Sequence, residues 1–214
     1  MTVDAEPETP EAEVLPWYHS ALNLVALVAA VAVLAAGIGW VVGNNRALPD
    51  PDATDIGFLQ DMRYHHEQAV QMALLYLDDP DRDANLTTIA REIVVGQNIE
   101  IGRFIQLLRD WGESEVNETD LAMAWMNEPV ALDRMPGMAT EDDLLALARA
   151  EGADADQLFV TLMTAHHLGG VHMAEWARDH AATEEVRLMA IQIVKVQREE
   201  VTELARLLEM SQAG

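Results

Sequence analysis

The sequence predicts an all-α protein: a four-helix bundle built from a duplicated helical hairpin and preceded by one transmembrane helix. Three observations carry that prediction. The segment FLQDMRYHHEQAVQMA (Phe58 to Ala73) returns 101 residues later as FVTLMTAHHLGGVHMA (Phe159 to Ala174). Its matched positions include Met62/Met163, His65/His166, His66/His167 and Met72/Met173. Downstream of each copy lies a shared Q-x-x-E core, Gln97 and Glu100 in the first and Gln197 and Glu200 in the second. Apolar residues recur at helical spacing through both copies, and no stretch alternates convincingly with the period of a strand. A single helical hairpin cannot bury its apolar stripe alone, so the two copies should pack on each other.

The elements follow in order. Residues 1–16 hold five acids and three prolines, a composition that favours disorder. From Val14 to Asn45 there is no Asp, Glu, Lys or Arg. Residues 17–43 are therefore expected to form a transmembrane helix, since roughly 20 apolar residues span a hydrocarbon core of about 30 Å. Trp17, Tyr18 and Trp40 stand near its ends, where interfacial aromatics belong. The run is too long for the apolar region of a cleavable signal peptide, and no basic segment precedes it. Residues 44–54 read as a linker, with Thr54 or Asp55 placed to cap the first bundle helix, which runs to about Leu77.

The bundle domain, 55–211, divides into repeat one (55–112), a crossover (113–153) and repeat two (154–211). DDPDRD (Asp78 to Asp83) breaks the first helix, and a second spans about Asp83 to Trp111, with Gly112 to end it. In the crossover, LAMAWM (Leu121 to Met126) suggests a short helical piece, and the Pro-Gly of MPGM (Met135 to Met138) a turn that exposes both sulfurs. Thr140 to Asp143 resembles a capping box for a short helix to about Ala150. The third long helix is expected over about Asp154 to His180. The fourth follows Thr183 and runs to about Met210.

Composition removes several function classes. The chain carries a net charge of −24, and residues 44–214 hold 32 acidic against 13 basic residues. Such a surface excludes nucleic acid as a partner. The absence of Cys excludes disulfides, thiolate metal sites and thiol catalysis together. The lysine/arginine bias around the apolar run amounts to Arg46, which points the C-terminal domain inward.

On a helical wheel, Met62, His65, His66, Ala69, Met72 and Ala73 share one sector about 120° wide, at about 100° per residue. Met163, His166, His167, Gly170, Met173 and Ala174 repeat it. Ile93, Gln97, Glu100, Phe104, Leu107 and Leu108 share one face of the partner helix. Each repeat thus points two histidines, a glutamine and a glutamate toward an apolar interior. Ala69 and Gly170 leave room beside the imidazoles for another side chain or an ion. Buried Glu100 and Glu200 need partners, and the histidines are the obvious ones. His172 and Glu67 fall on the opposite face, and Met123 and Met126 read as core fillers.

Two readings stay open on these spacings. A His–Glu–Gln network could fix the register of the core. The same groups could instead form a metal site, with His65, His66, His166 and His167 as ligands beside Met62, Met72, Met163 and Met173, and with Met135 and Met138 contributed by the crossover. Gln97, Glu100, Gln197 and Glu200 would then orient the ligands from behind. Imidazole and thioether suit copper and silver and are poor partners for Mg(II) or Ca(II).

The pattern M-x-x-H-H-x-x-[AG]-V-x-M-A, present twice, with M-P-G-M-A-T (Met135 to Thr140) before the second copy, resembles the bacterial domain-of-unknown-function family 305. The resemblance covers about Asp55 to Met210. It implies a ferritin-like four-helix bundle, export or membrane anchoring and, for some members, copper binding and copper tolerance. It carries a ligand role onto the four paired histidines and the same six methionines. It also implies an extracytoplasmic domain, against the direction of Arg46. No Glu stands three residues before any of the paired histidines, so the di-iron spacing of ferritin-like oxidases is absent. The expectation is a membrane-anchored, extracytoplasmic protein that sequesters or hands over copper without catalytic turnover. The alternatives are an envelope interaction module with a structural His–Glu core and a carboxylate–histidine redox enzyme using Glu100 and Glu200.

Overall fold

The computed structural model describes residues 16–44, 49–79 and 81–213, and the chain divides into two compact units at 47/48. The first unit holds a short 3-10 turn, Trp17–His19, and helix α1, Ala21–Asn44. Within α1, Ala21–Val41 is long and apolar enough to cross a membrane. The expected disorder of the N-terminus falls outside the described residues, apart from Pro16, as do residues 45–48 of the linker with Arg46 among them.

The second unit is built on four long helices: α2 (Ala53–Leu77), α3 (Ala84–Trp111), α5 (Gly152–His180) and α6 (Glu184–Ala213). Helices α2 and α3 form one hairpin, α5 and α6 the other, and α2 packs on α5 between them. The fold is the all-α bundle of two hairpins that the repeat predicts. Gly112 ends α3 in the left-handed region, φ 75°, its N–H bonding back to Arg109. Thr140 and Asp143 form a reciprocal capping box at the start of α4 (Glu141–Arg149), which packs on α2 and α5. Two expectations need correction. Asp52, not Thr54 or Asp55, caps α2, because Asp55 sits at the third helical position and returns its carboxylate to the Asp52 N–H. LAMAWM is not a helix but a two-residue strand β1 (Leu121–Ala122) and a 3-10 turn, with β1 paired antiparallel to β2 (Val130–Ala131). Its left-handed Met123, φ 60°, prevents a continuous helix.

The apolar core has two halves. One joins Phe58 and Met62 near the start of α2 to Met173 and Ala177 near the end of α5. The other joins Met72 and Tyr76 of α2 to Phe159 and Met163 near the start of α5. The two helices therefore run antiparallel, and equivalent residues of the two repeats meet at their middle. Between the halves, at residues 65–66 and 166–167, lie the histidines.

Each repeat also reaches across to hold the hairpin turn of the other. Asp55, fully buried, accepts from Thr183 N (3.1 Å), Thr183 Oγ1 (2.8 Å) and Ala182 N (3.3 Å) at the α5–α6 turn. Its equivalent, Asp156, accepts from the Tyr76 hydroxyl (2.6 Å) and from Asp83 N (3.5 Å) at the α2–α3 turn. A buried carboxylate is tolerated only with donors of this kind. These reciprocal clasps close the bundle at both ends.

Candidate metal centre

All four paired histidines are completely buried. His65 and His166, equivalents in the repeat, stack at the middle of the bundle with ring centroids 3.8 Å apart and planes inclined by 32°. Their Nε2 atoms face main-chain oxygens. His65 Nε2 donates to Pro136 O at 3.1 Å, and His166 Nε2 donates to His65 O at 2.9 Å. A carbonyl only accepts, so Nε2 carries the proton in both rings. Outside this pair, His66 Nε2 bonds Glu100 Oε2 at 2.8 Å, and His167 Nε2 lies 2.7 Å from Glu200 Oε2. Both glutamates are about one-fifth exposed, 18 % for each side chain, so they join the buried rings to solvent at the rim.

Burial and then the neighbouring His66, opposed only partly by the bond to Pro136, push the His65 imidazole down to about 3. His166 is pushed well below its ordinary value by burial and then by His65 and His167. At neutral pH both rings are therefore neutral. With the proton fixed on Nε2, Nδ1 is a bare lone pair. Among the described residues, the Nδ1 atoms of His65, His66, His166 and His167 are all buried without a hydrogen-bond partner. So are Gln97 Oε1 and both amide atoms of Gln197. A purely structural network would satisfy such atoms. A ring held by N–H at one nitrogen and bare at the other is how metal-binding histidines are oriented.

The other expected residues fall as follows. Gln97 and Gln197 are buried in the core. Met62 and Met173 sit in one apolar half, Met72 and Met163 in the other. Met123 and Met126 are core residues. His172 and Glu67 are exposed, His172 paired with Glu128 and Glu67 with Arg63. The crossover methionines depart from expectation. Met135 is buried and Met138 half-buried against the core, so the Pro-Gly turn exposes neither as a free surface ligand. The space beside Gly170 is taken by the Gln197 side chain. Among the described residues, no group of three or more His, Asp or Glu is gathered to hold a metal ion. A site here must therefore draw on Met or Gln donors as well.

The turn is buried because α5 makes room for it. Gly137 takes φ +80° and lies against Ala165 and His166, while a methyl at Gly169 would overlap the Pro136 carbonyl. The equivalent of Gly169 in repeat one is Gln68, which grips the same strap by two hydrogen bonds, Nε2 to Ala139 O (2.9 Å) and Ala139 N to Oε1 (2.7 Å). One position thus holds the crossover in both repeats, once by lacking a side chain and once by bonding with it. Buried Asp61 anchors the rest, accepting from Met123 N (2.7 Å), Trp125 Nε1 (2.8 Å) and Asn117 Nδ2 (2.7 Å). Burial raises its pKa against those donors. Gln68, Gly169 and Asp61 were not singled out from the sequence, though the LGG/EQA mismatch at the otherwise matched motif was visible.

A family model described as a domain of unknown function (DUF305) matches residues 55–208, most of the chain and nearly all of its bundle. The chain belongs to the DUF305 family. Among solved structures, it is similar to a candidate secreted DUF305 protein from Streptomyces coelicolor, with 33 % identity over 74 % of this chain and 94 % of that one, TM-score 0.68. A DUF305 fragment from Deinococcus radiodurans gives 28 % identity, 76 % and 99 % coverage, and TM-score 0.65. CopM in a Cu(I)-bound form gives 25 % identity, 74 % and 97 % coverage, and TM-score 0.54. No functionally curated protein matches the chain.

Proposed function

We propose that this DUF305 protein is anchored in the membrane by α1, carries its bundle outside the cytoplasm, and binds copper for sequestration or handover. One observation carries the reading: four buried imidazoles, each with Nε2 facing an oxygen and Nδ1 buried without a hydrogen-bond partner among the described residues. Copper is the cargo. The neutral rings of His65 and His166 need lose no proton to accept it, and the thioethers of Met62, Met72, Met163 and Met173 lie one to two helical turns from the histidines along α2 and α5. Soft donors of both kinds favour Cu(I). Met135 lies on the strap whose next residue, Pro136, holds His65, and both Met135 and Met138 pack into the core from that strap. Support from outside the chain comes from CopM, whose Cu(I)-bound structure shares the fold.

The test uses the full chain in detergent micelles and Ag(I), a redox-inert stand-in for Cu(I). Binding confined to the folded state raises the melting temperature, with about 2.7 kcal/mol of stabilisation at a hundredfold excess over Kd. Replacing His65, His66, His166 and His167 with Ala should abolish the shift, and Mg(II) should produce none. A melt that Ag(I) and Cu(I) leave unchanged, with the histidine variants merely less stable, would make the histidines structural and favour the interaction-module reading.

A further inference from the structure

The two halves of the centre are not equivalent. In the first, His66 makes an aligned hydrogen bond to Glu100, and Gln97 Oε1 is buried without a hydrogen-bond partner among the described residues. In the second, His167 Nε2 and Glu200 Oε2 lie close but off-axis, and neither makes a hydrogen bond among the described residues. Gln197, 1 % exposed, has neither amide atom satisfied. His167 Nδ1 likewise has no hydrogen-bond partner among the described residues, so beyond the 2.7 Å contact between His167 and Glu200 the polar atoms of this half are unsatisfied.

A single substitution between the repeats accounts for the place of Gln197. Ala69 of α2 is matched by Gly170 of α5, and a methyl at Gly170 would overlap Gln197 Oε1. The missing methyl lets the Gln197 amide close onto α5. Gln197 and Glu200 stand one turn apart on α6, as His167 and Gly170 do on α5. Glu200 faces His167 and Gln197 faces Gly170, so an imidazole, an amide and a carboxylate converge from two helices.

We propose that this second half, His167 through Nε2 with Gln197 and Glu200 beside Gly170, seats one borderline divalent transition ion of the Zn(II) or Cu(II) class, and that the first half, whose His66 Nε2 is committed to Glu100, does not. The proposal rests on the metal-binding reading above and adds the class of ion and the half that takes it. Two oxygen donors and an imidazole form a harder set than imidazole with thioether, and they favour divalent ions over Cu(I). The carboxylate supplies the negative charge that a buried cation needs.

The experiment is calorimetric titration of the full chain in micelles with Zn(II) alone. One equivalent should bind. Gln197→Met, which keeps the volume but removes the oxygen, should weaken binding by about tenfold or more, and Gly170→Ala, which displaces the amide, by a similar factor. Gln197→Glu should retain binding, and Gln97→Met should stay within about twofold of wild type. Should Gln197→Met fail to fold, Gly170→Ala decides. Absence of Zn(II) binding, equal losses at Gln97 and Gln197, or wild-type affinity in both Gln197→Met and Gly170→Ala would overturn the proposal, the last result meaning that water alone fills the notch. Ag(I) titration of the same samples separates the two ideas. Ag(I) binding without Zn(II) binding overturns only this proposal, whereas loss of both overturns the metal reading itself.

Discussion

Lowering the pH from 7.5 to 5 should destabilise the bundle through His65 in particular. The unfolded chain takes up a proton at this residue as pH falls through its ordinary value of 6.5, whereas the folded ring resists until about 3. The folded pKa is depressed, so the stabilisation is complete above 6.5 and drains away as pH falls toward 3. Between those limits the unfolded state binds one more proton, and each pH unit removes about 1.4 kcal/mol. From pH 7.5 to 5 the loss amounts to about 2 kcal/mol for this residue. His166, depressed by the same burial, adds a loss of the same sign. The assay is urea unfolding of the metal-free chain in micelles, followed by tryptophan fluorescence at both pH values. The control is His65→Gln, whose longer amide places its nitrogen where Nε2 donates to Pro136 O but does not titrate. Wild type should lose about 2 kcal/mol more than His65→Gln over this range. Parallel pH profiles for the two proteins would refute the buried neutral imidazole and with it the assignment of a bare Nδ1.

Three further outcomes follow from the packing and the topology. Gly169→Ala should cost about 1–3 kcal/mol in a chemical melt, because its methyl meets the Pro136 carbonyl rather than a movable side-chain end. Gly96→Ala, with nothing within 4 Å of the new methyl, should gain about 0.5–1 kcal/mol from helix propensity. Asp55→Ala and Asp156→Ala should each cost about 1–3 kcal/mol by stranding the donors of the opposite turn, while the exposed Glu67→Gln should change stability by less than about 0.5 kcal/mol. A reporter active only outside the cytoplasm, fused after Gly214, should be active, and activity confined to a cytoplasmic reporter would reverse the proposed orientation.

The inward stripe of Met62, His65, His66, Met72 and their counterparts was legible because a helical period and a duplication give the same answer twice. The pairing of His66 with Glu100 and of His167 with Glu200 followed from the cost of burying a carboxylate alone. What stayed hidden depends on tertiary approach. A Pro-Gly turn is ordinarily exposed, and nothing local in MPGM tells that Gly169, thirty residues on, opens α5 to receive it. Asp55 had a plausible local role as a cap, and that role hid the distant one at Thr183. The offset of 101 residues between Asp55 and Asp156 was the signal that could have revealed both clasps. The stacking of His65 on His166 likewise needs the antiparallel register of α2 and α5, which periodicity along one helix does not contain.

That stacking has a consequence for how the molecule is put together. A residue that touches its own counterpart lies on a two-fold axis, the relation found between identical subunits of a symmetric dimer. The two hairpins, each closed by the other's aspartate, are arranged like such a pair of subunits tied into one chain by the crossover. In a true dimer every substitution would appear on both sides at once. Tied together, each side can change alone: α5 could acquire glycines where α2 keeps Gln68 and Ala69, and a strap could be admitted on one flank only. Covalent linkage here is what permits asymmetry around a centre whose backbone remains symmetric.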